Sequence, residues 1–457
     1  MRMAPILALG LLPAACLAQA PEDPQLSALV QEALARNPDA ARSRAMAQAE
    51  AERIPQAGAL PDPVLSLGIQ NDGFKKIQVG QMESSYYSIM VTQPLLWPGK
   101  RGLRGDIARM GSQAAMESSS RVRLTLEADV RRGYVALLLA RSQLRLLDEQ
   151  ALFLRQAEAT ARSRYEVGQG SQADLLRAQL ERTRLEQSRL DLQSEERGTL
   201  ASLNRLRALP PDAPLPTERT LEQLPEPPAI DVPEAAASAR NLSPELKAAR
   251  IGVTQAGKSL ELAHLDRRPD FALSAGYMPR GGLDPMWTAS VSISLPVWQK
   301  RKQSQAIAEQ EHRRKASGSE VESLEALLGQ RVQERAAQMD AALGVIRLYR
   351  SGLLVQSETS FRATLSQYEV GKVPFLSVLE ALNGWIADQS GLLQAQARAQ
   401  AIHIAHRELN LGSAPPIGAT SLGGTALGGG GGASASAGAR KGAAAGTPSE
   451  SSSMKSM

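Results

Sequence analysis

The sequence predicts a mainly α-helical protein with a membrane β-barrel, in which long α-helical hairpins and four strands come from an internal two-fold repeat. Three observations predict this fold class. Segments recur in the same order roughly 200 residues apart. Short stretches alternate apolar and polar residues, as strands with two different faces do. Two stretches of about 65 residues contain no proline and therefore predict very long helices.

Four pairs of matching segments define the repeat. They are Pro61-Asp62 with Pro269-Asp270, Trp97-Pro98-Gly99-Lys100-Arg101 with Trp298-Gln299-Lys300-Arg301, Tyr165-Glu166-Val167-Gly168 with Tyr368-Glu369-Val370-Gly371, and Leu203-Asn204 with Leu409-Asn410. Trp97 and Trp298 are preceded by Pro94 and Pro296, which strengthens their match. We therefore expect two copies of one structural unit and a function that a pseudo-symmetric object performs.

The composition favours long helices and excludes several classes of function. Only 4% of the 457 residues are aromatic, and Ala, Leu, Gln, Glu and Arg dominate, which is typical of helices packed through small side chains. The net charge of +5 is modest and spread along the chain, so we expect no nucleic-acid partner. We find no nucleophile–base pair, phosphate-binding loop or cofactor signature, and expect neither an enzyme nor a cofactor.

The N-terminus has the pattern of an export signal. Arg2 precedes an apolar run and a region of small residues, so residues 1–18 are predicted to be a signal peptide. Cys16 is the only cysteine, which leaves no disulfide framework in an exported chain. A lipidated N-terminus at Cys16 is the alternative interpretation. At the other end, residues 412–457 are rich in Gly, Ala and Ser and are predicted to be disordered.

Between these ends the chain divides into three parts: a first repeat at 19–209, a Pro-rich connector at 210–233 and a second repeat at 234–411. Each repeat is predicted to begin with one helix, at about 25–57 and about 233–265. The helix-start signal Ser243-Pro244-Glu245 lies inside the second of these helices or near a break in it. The connector holds eight prolines and is predicted to be extended rather than helical.

Two alternating segments follow the opening helix of each repeat and predict a strand hairpin. The predicted strands are 64–70 and 85–92 in the first repeat and 271–278 and 286–295 in the second. In the last of these, Ala289, Val291 and Ile293 alternate with serines. That period of two predicts a strand with one apolar and one polar face.

A helical hairpin completes each repeat. The outgoing helices are predicted at about 102–166 and 302–369, and each would be roughly 100 Å long. Their apolar residues follow coiled-coil spacing. Glycine-containing turns then lead into returning helices at about 173–206 and 375–411.

The predicted strands constrain how the protein meets a membrane. No apolar run after the signal approaches the ~18 residues that a membrane helix needs, so a spanning structure would have to consist of strands. Four strands cannot close a barrel, and closure must come from copies of the chain. Two copies give eight strands with a filled interior, whereas three give a 12-stranded shared barrel with a water-filled lumen. The residues predicted to line this lumen are Ser66, Ser274, Ser290, Ser292 and Ser294.

This ordered set of features resembles the outer-membrane efflux protein (TolC-like, outer membrane factor) family. The segments Ala59-Leu60-Pro61-Asp62-Pro63-Val64-Leu65-Ser66-Leu67-Gly68 and Trp97-Pro98-Gly99-Lys100-Arg101 are most similar to its heavy-metal (copper/silver or cobalt-zinc-cadmium) efflux branch. The resemblance implies a homotrimer whose helices form an α-barrel, located in the outer membrane and extending into the periplasm. It also implies a periplasmic adaptor (membrane fusion) protein, an inner-membrane RND-type pump and outer-membrane lipid as partners. An exit duct for drugs or secreted proteins, and a soluble periplasmic coiled-coil adaptor or scaffold, are the alternatives.

The two helical turns are the predicted adaptor-docking tips. Their residues are Tyr165, Val167 and Gly168 in the first repeat and Tyr368, Val370 and Gly371 in the second. Apolar side chains and glycine backbone would meet the adaptor there, whereas the structural alternative is that the glycines only reverse the chain while the tyrosines pack the hairpin.

Acidic residues just beyond the turns are the candidate periplasmic gate. The resemblance implies a closed mouth ringed by acids, and Asp174 and Glu380 are the candidates. In the second repeat, the position that corresponds to Asp174 is Ser377. A second acidic ring at this position is therefore not expected. A solvated helix face, or an acid favoured by the helix dipole, is the alternative.

Four further groups of residues are assigned structural roles. His403 and His406 are interpreted as surface histidines rather than metal ligands, and no metal site is predicted. Met278 and Met286 are interpreted as membrane-facing apolar residues rather than soft metal ligands. The tryptophans near strand ends, Trp97, Trp287 and Trp298, suit an interfacial aromatic belt. The basic residues beside them, Lys100, Arg101, Lys300 and Arg301, are expected at the periplasmic rim, in contact with water or lipid.

Overall fold

The computed structural model describes residues 23–409 and 411–412. The predicted signal peptide with Cys16 lies outside these residues, as does the predicted tail beyond Gly412. The first half contains helices α1 (Pro24–Arg36) and α2 (Pro38–Gly58), strands β1 (Val64–Gln70) and β2 (Tyr86–Leu95), and helices α3 (Lys100–Glu166) and α4 (Gln172–Leu206).

The second half follows the same order, except that the helix corresponding to α3 is divided into α7 and α8. It contains helices α5 (Val232–Leu242) and α6 (Pro244–Leu265), strands β3 (Asp270–Arg280) and β4 (Leu283–Ser294), and helices α7 (Gln303–Leu348), α8 (Leu354–Glu369) and α9 (Phe375–Glu408). The connector between the halves includes a single turn of 3₁₀ helix at Leu221–Gln223.

Each opening helix is divided into two. The break at Ser243 agrees with the helix-start signal there, whereas the break at Asn37 was not predicted. Asn37 and Ser243 adopt extended conformations, and each is followed by a proline at the first position of the next helix. A residue before proline is disfavoured in the α conformation, while proline itself fits a helix start. The Asn37 side chain accepts hydrogen bonds from the Asp39 and Ala40 backbone amides, which caps α2.

The long helix predicted at 302–369 is interrupted by a π-helical segment at Tyr349–Leu353. Such a segment inserts one extra residue into a helical turn. Tyr349 packs against Gly391 of α9, where a β-carbon would have no room. In the first half the corresponding helix α3 runs without interruption over 67 residues.

The four strands form one antiparallel sheet in the order β1-β2-β3-β4. The sheet joins the two halves of the chain because β2 pairs with β3. Strands β1 and β4 each have one neighbour within the chain and are therefore the edges. An unpaired edge offers a row of backbone donors and acceptors to another strand.

The main hydrophobic core lies among the long helices rather than under the sheet. Tyr134, Leu137 and Phe375 are completely buried there. Phe361 and Trp385 stack on each other, and Phe153 meets both rings edge-on. The Tyr134 hydroxyl donates to the Asp23 carboxylate at 2.8 Å, so the buried phenol has a partner. This core holds the long helices together and includes Tyr368 and Phe375 beside the second helical turn.

Candidate functional site

The strand register gives the sheet one apolar and one polar face. Residues directly opposite each other in an antiparallel pair have side chains on the same face. Leu67 lies opposite Ile89, which lies opposite Tyr277, which lies opposite Trp287. The apolar face continues through Leu65, Ile69, Val91, Leu273, Val291 and Ile293.

The apolar face is exposed. Leu67 is 73% exposed, Val291 64% and Trp287 79%. These residues form one continuous exposed apolar patch, whereas soluble proteins usually expose apolar residues singly. Along β2 and β3 the apolar positions are exposed while the intervening polar-face positions are half-buried. Because side chains converge on the inner side of a curved sheet, this alternation indicates that the polar face is concave.

All five serines predicted to line a lumen lie on the polar face. Ser274 is opposite Ser290, and its hydroxyl is 2.9 Å from the Thr92 hydroxyl. Ser292 and Ser294 follow on the same side of β4, and Ser66 of β1 is in line with Met90. The geometry brings these residues together on one surface, and their role in a lumen stays a prediction.

Met278 and Met286, interpreted above as membrane-facing residues, lie on the polar face of the sheet. The two methionines are directly opposite each other across β3 and β4, on the same side as Ser274 and Ser290. Met90 lies on that face as well, opposite Gly276. Three thioethers therefore belong to the polar concave surface. The period-two alternation already places Met278 and Met286 on the same face as the serines. They were assigned to the other face because methionine is apolar.

The base of the sheet contains an ion pair that the sequence interpretation missed. Lys100 was expected at the rim, yet its side chain is only 3% exposed. Its ammonium group lies 3.0 Å from the Asp270 carboxylate and 3.3 Å from that of Asp266. The Trp97 backbone amide donates to the same Asp270 carboxylate at 2.8 Å, and the Trp97 ring stacks on Phe271. This cluster joins the end of β2 to the start of β3.

The two predicted docking turns lie next to each other and are joined by Arg164. The Arg164 guanidinium donates a hydrogen bond to the Tyr368 carbonyl oxygen and lies 4.9 Å from the centre of the Tyr368 ring. It also donates to the Gln169 carbonyl oxygen at 3.4 Å. Gly168 and Gly371 have φ of 73° and 77°, a conformation that glycine adopts without strain. Arg164 immediately precedes the repeated motif, and nothing in the sequence pattern singled it out.

The predicted tip residues differ in exposure. Val167 is 66% exposed, Val370 68% and Tyr165 44%, so these side chains are available to a partner. Tyr368 is only 3% exposed and packs against Phe375, which matches the structural alternative for this tyrosine. Burial, reinforced by the Asp174 charge, raises the pKa of the Tyr368 phenol.

The candidate gate acids have different surroundings. Asp174 lies in the first turn of α4, where its backbone amide donates to the Ser171 hydroxyl and its carboxylate lies 3.7 Å from Arg177. A helix N-terminus favours a negative charge, so the structural alternative is satisfied at Asp174. Glu380 is exposed on α9. A gate at these residues stays a prediction.

His403 and His406 are half-buried on α9, so their interpretation as surface residues was wrong. Burial, together with the charges of Arg407, His406 and Arg131, lowers the pKa of His403 to about 4. Burial beside Arg335 lowers the pKa of His406 as well. Neutral imidazoles are therefore favoured at this position. In the part of the chain that the structure describes, no three His, Cys, Asp or Glu side chains are grouped as metal ligands.

None of the helices in the described residues has the length and apolar character needed to cross a membrane.

Comparison with known proteins identifies the family. The sequence pattern described as outer membrane efflux protein matches residues 29–209 and again residues 235–409. The chain belongs to this family. The family and the solved structures that the chain resembles are outer-membrane channels, which confirms the prediction that it is not an enzyme. The resemblance seen in the sequence is thereby confirmed at the level of the family.

A named relative and several solved structures are similar to this efflux-family chain. The outer membrane efflux protein BepC of Brucella suis biovar 1 is 24% identical over 250 residues, which are 52% of this chain and 52% of BepC. The chain thus spans about half the length of that relative. The outer-membrane channel OprN matches with a TM-score of 0.68, at 18% identity over 86% of this chain and 91% of its own.

Two further channels have the same fold. CusC, described as forming a transmembrane channel, matches with a TM-score of 0.72 at 18% identity, over 85% of this chain and 91% of its own. The MtrE channel of Neisseria gonorrhoeae in its open state matches with a TM-score of 0.70 at 19% identity, over 84% and 89%. At these identities the similarity concerns the fold, and it does not separate one branch of the family from another.

Proposed function

We propose that three copies of this chain form the exit duct of a tripartite efflux system in the outer membrane. Each copy contributes four strands to a 12-stranded barrel and its helical hairpins to an α-barrel that extends into the periplasm. The two halves of the chain are the copies of an internal repeat. The observation that carries the proposal is the sheet, with an exposed apolar face, a polar concave face and two unpaired edges.

Ring closure follows from the strand order. Neighbouring strands in the sheet are antiparallel, so β4 of one copy and β1 of the next also run antiparallel. Three copies joined in this way remove every edge, which a strand structure in lipid requires. The apolar face would then meet lipid, and the polar face would surround water. In a soluble adaptor or scaffold, that apolar face would be exposed to water.

The helical turns are the proposed contact with a periplasmic adaptor, through which an inner-membrane RND-type pump would deliver substrate. Val167 and Val370 offer apolar contacts on neighbouring turns. Asp174 and Glu380 are proposed to add negative charge at the periplasmic mouth, where threefold repetition would favour cations.

Reconstitution into planar lipid bilayers tests this function. Purified protein is added to one side, and single-channel conductance is recorded in potassium chloride. A duct produces discrete, ohmic conductance steps, and a matched variant with a charge on the apolar face should produce none. Protein that stays monomeric and leaves the bilayer impermeable would exclude the duct.

Heavy-metal ions are the proposed cargo. The resemblance of residues 59–68 and 97–101 to segments of the heavy-metal branch motivates this proposal, and Met90, Met278 and Met286 on the polar face of the sheet support it. Thioethers are soft ligands that favour ions such as Cu(I) over hard cations. In a strain that depends on this chain for efflux, replacing all three methionines with leucine should lower tolerance to silver ions and leave drug tolerance unchanged. Equal tolerance of silver would exclude a role for the thioethers.

A further inference from the structure

The junction at the base of β2 and β3 is complete within one chain. Asp270 accepts a hydrogen bond from the Trp97 backbone amide at 2.8 Å and an ion-pair contact from Lys100 at 3.0 Å. Phe271 covers the Trp97 ring, with ring centres 5.7 Å apart. Asp270 is the first residue of β3, and Trp97 and Lys100 come just after the end of β2.

The ends of β1 and β4 have the same types of residue, an acid before one strand and a tryptophan with basic residues after the other, but the acid does not contact the other residues within the described part of one chain. Asp62 corresponds to Asp270 in the repeat and comes just before β1. Trp298, followed by Lys300 and Arg301, corresponds to Trp97 and the basic residues after it, and comes just after β4. Trp298 is 74% exposed, and the side chains of Asp62, Lys300 and Arg301 are exposed too. Within residues 23–409 and 411–412, the ion pairs of Lys100 with Asp266 and Asp270 have no counterpart at Asp62, Lys300 or Arg301.

The strand order explains why these groups do not meet. Strands β1 and β4 are at opposite edges of the sheet, so Asp62 is at one edge and Trp298 at the other. When β4 of one copy pairs with β1 of the next, the end of β4 comes next to the start of that β1. This is the relationship that the end of β2 has to the start of β3 within the chain.

We propose that Asp62 of one copy binds the basic pair Lys300–Arg301 of the next copy, repeating between chains the junction that Lys100 and Asp270 form within one. The proposal rests on the proposed closed ring and specifies its interface. Pro63 corresponds to Phe271 in the repeat, so it would cover the exposed Trp298 ring of the neighbouring copy. The partner of the β4 edge is a second copy of this chain, because the β1 edge of that copy supplies both Asp62 for the basic pair and Pro63 for the exposed Trp298 ring.

The arrangement also gives the interface a direction. Each copy offers the acid at its β1 edge and the basic pair at its β4 edge, so the contact is head-to-tail. Such a contact closes into a ring when the rotation between copies brings the last copy back to the first. Like charges meet when β1 edges or β4 edges face each other. The charged groups therefore select against the two wrong edge pairings, as interfaces commonly do with charge.

Cysteine cross-linking tests the contact directly. The full-length double variant Asp62→Cys/Arg301→Cys, treated in membranes with a short bis-maleimide, should give covalent dimers and trimers on denaturing gels. Each single variant and the parent chain should give monomers only. When the two cysteines are on different co-expressed chains, dimers alone should form, which proves that the link is between chains.

Charge reversal tests the energetic role of the pair. Asp62→Lys should remove the detergent-resistant trimer band, and Lys300→Asp/Arg301→Asp should do the same. The combined triple variant should restore the band. Asp284→Lys, which reverses an exposed acid near the other end of β4, should leave the band unchanged.

The outcomes separate this inference from the proposed function. Conducting trimers that give no cross-link between positions 62 and 301, and no rescue by the triple variant, overturn the junction and leave the duct standing. Protein that never forms a trimer overturns both.

Discussion

The guanidinium of Arg164 lies over the Tyr368 ring, 4.9 Å from its centre, and donates a hydrogen bond to the carbonyl oxygen of the same residue. Arg164 belongs to the helical turn of the first half of the chain, and Tyr368 to that of the second. One side chain therefore holds the two turns at a fixed separation. A β-carbon on Gly371 would lie 3.0 Å from the guanidinium, so glycine is needed beside this contact.

Removing Arg164 should let the two turns separate. A cation over an aromatic ring and a charged hydrogen bond together contribute about 2 kcal/mol at a partly buried site. We expect Arg164→Ala to broaden the distance distribution between spin labels at Val167→Cys and Val370→Cys, measured by pulsed electron paramagnetic resonance. Arg162→Ala, an exposed arginine on the same helix, is the matched control. Identical narrow distributions in both variants would show that Arg164 does not hold the turns.

The exposed valines of the turns should matter for docking but not for folding. Val167→Asp and Val370→Asp place charges on side chains that are 66% and 68% exposed, so thermal stability should change by less than about 0.5 kcal/mol. Cross-linking to the periplasmic adaptor should fall by at least half. Val355→Asp, at 58% exposure on helix α8, is the control and should cross-link normally. Unreduced cross-linking in both tip variants would remove these turns from the docking surface.

Adjacent residues of β4 should respond in opposite ways to the same substitution. Ile293 is on the apolar face and Ser292 on the polar face. A lysine on the lipid side of a membrane strand costs about 2–4 kcal/mol at mid-depth and roughly 0–1 kcal/mol near the interfaces. Ile293 lies near the end of β4, so Ile293→Lys should reduce the membrane-inserted fraction by an amount between these limits. Ser292→Lys should insert normally and shift ion selectivity toward anions. Fractionation and reversal potentials measure the two effects. If Ser292→Lys fails to insert while Ile293→Lys inserts, the faces are assigned the wrong way round.

Acidification should destabilise the helical region through His403. Its pKa is about 4 in the folded chain, below the unfolded value, because burial and the charges of Arg407, His406 and Arg131 oppose protonation. The unfolded chain therefore binds more protons between pH 6.5 and pH 4, so stability present at neutral pH falls through that window, by at most about 1.4 kcal/mol per pH unit. His403→Asn should flatten the dependence of the melting temperature on pH. His312→Asn, at an exposed position, should not.

Much of the fold follows from local sequence signals. The strands were predicted from period-two alternation, and the long helix α3 from the absence of proline between residues 102 and 166. The helix-start signal Ser243-Pro244-Glu245 indicated the break in the second opening helix, whereas the break at Asn37 was missed although that residue also precedes a proline. The π segment at Tyr349–Leu353 was missed because no local sequence pattern marks it.

The functional surfaces were only partly predictable. Val167 and Val370 were found because their motif repeats, and the serines because they alternate with apolar residues. Arg164 and Lys100 were missed as contacts since their partners, Tyr368 and Asp270, are in the other half of the chain. Such pairings depend on how the two halves pack, and no local pattern records that.

The number of chains in one channel tests the central claim most directly. Native mass spectrometry of protein extracted from outer membranes in mild detergent, followed by bilayer recording of the same preparation, should give a mass of three chains and a conducting pore. A single-chain mass from a preparation that conducts no current would contradict the account.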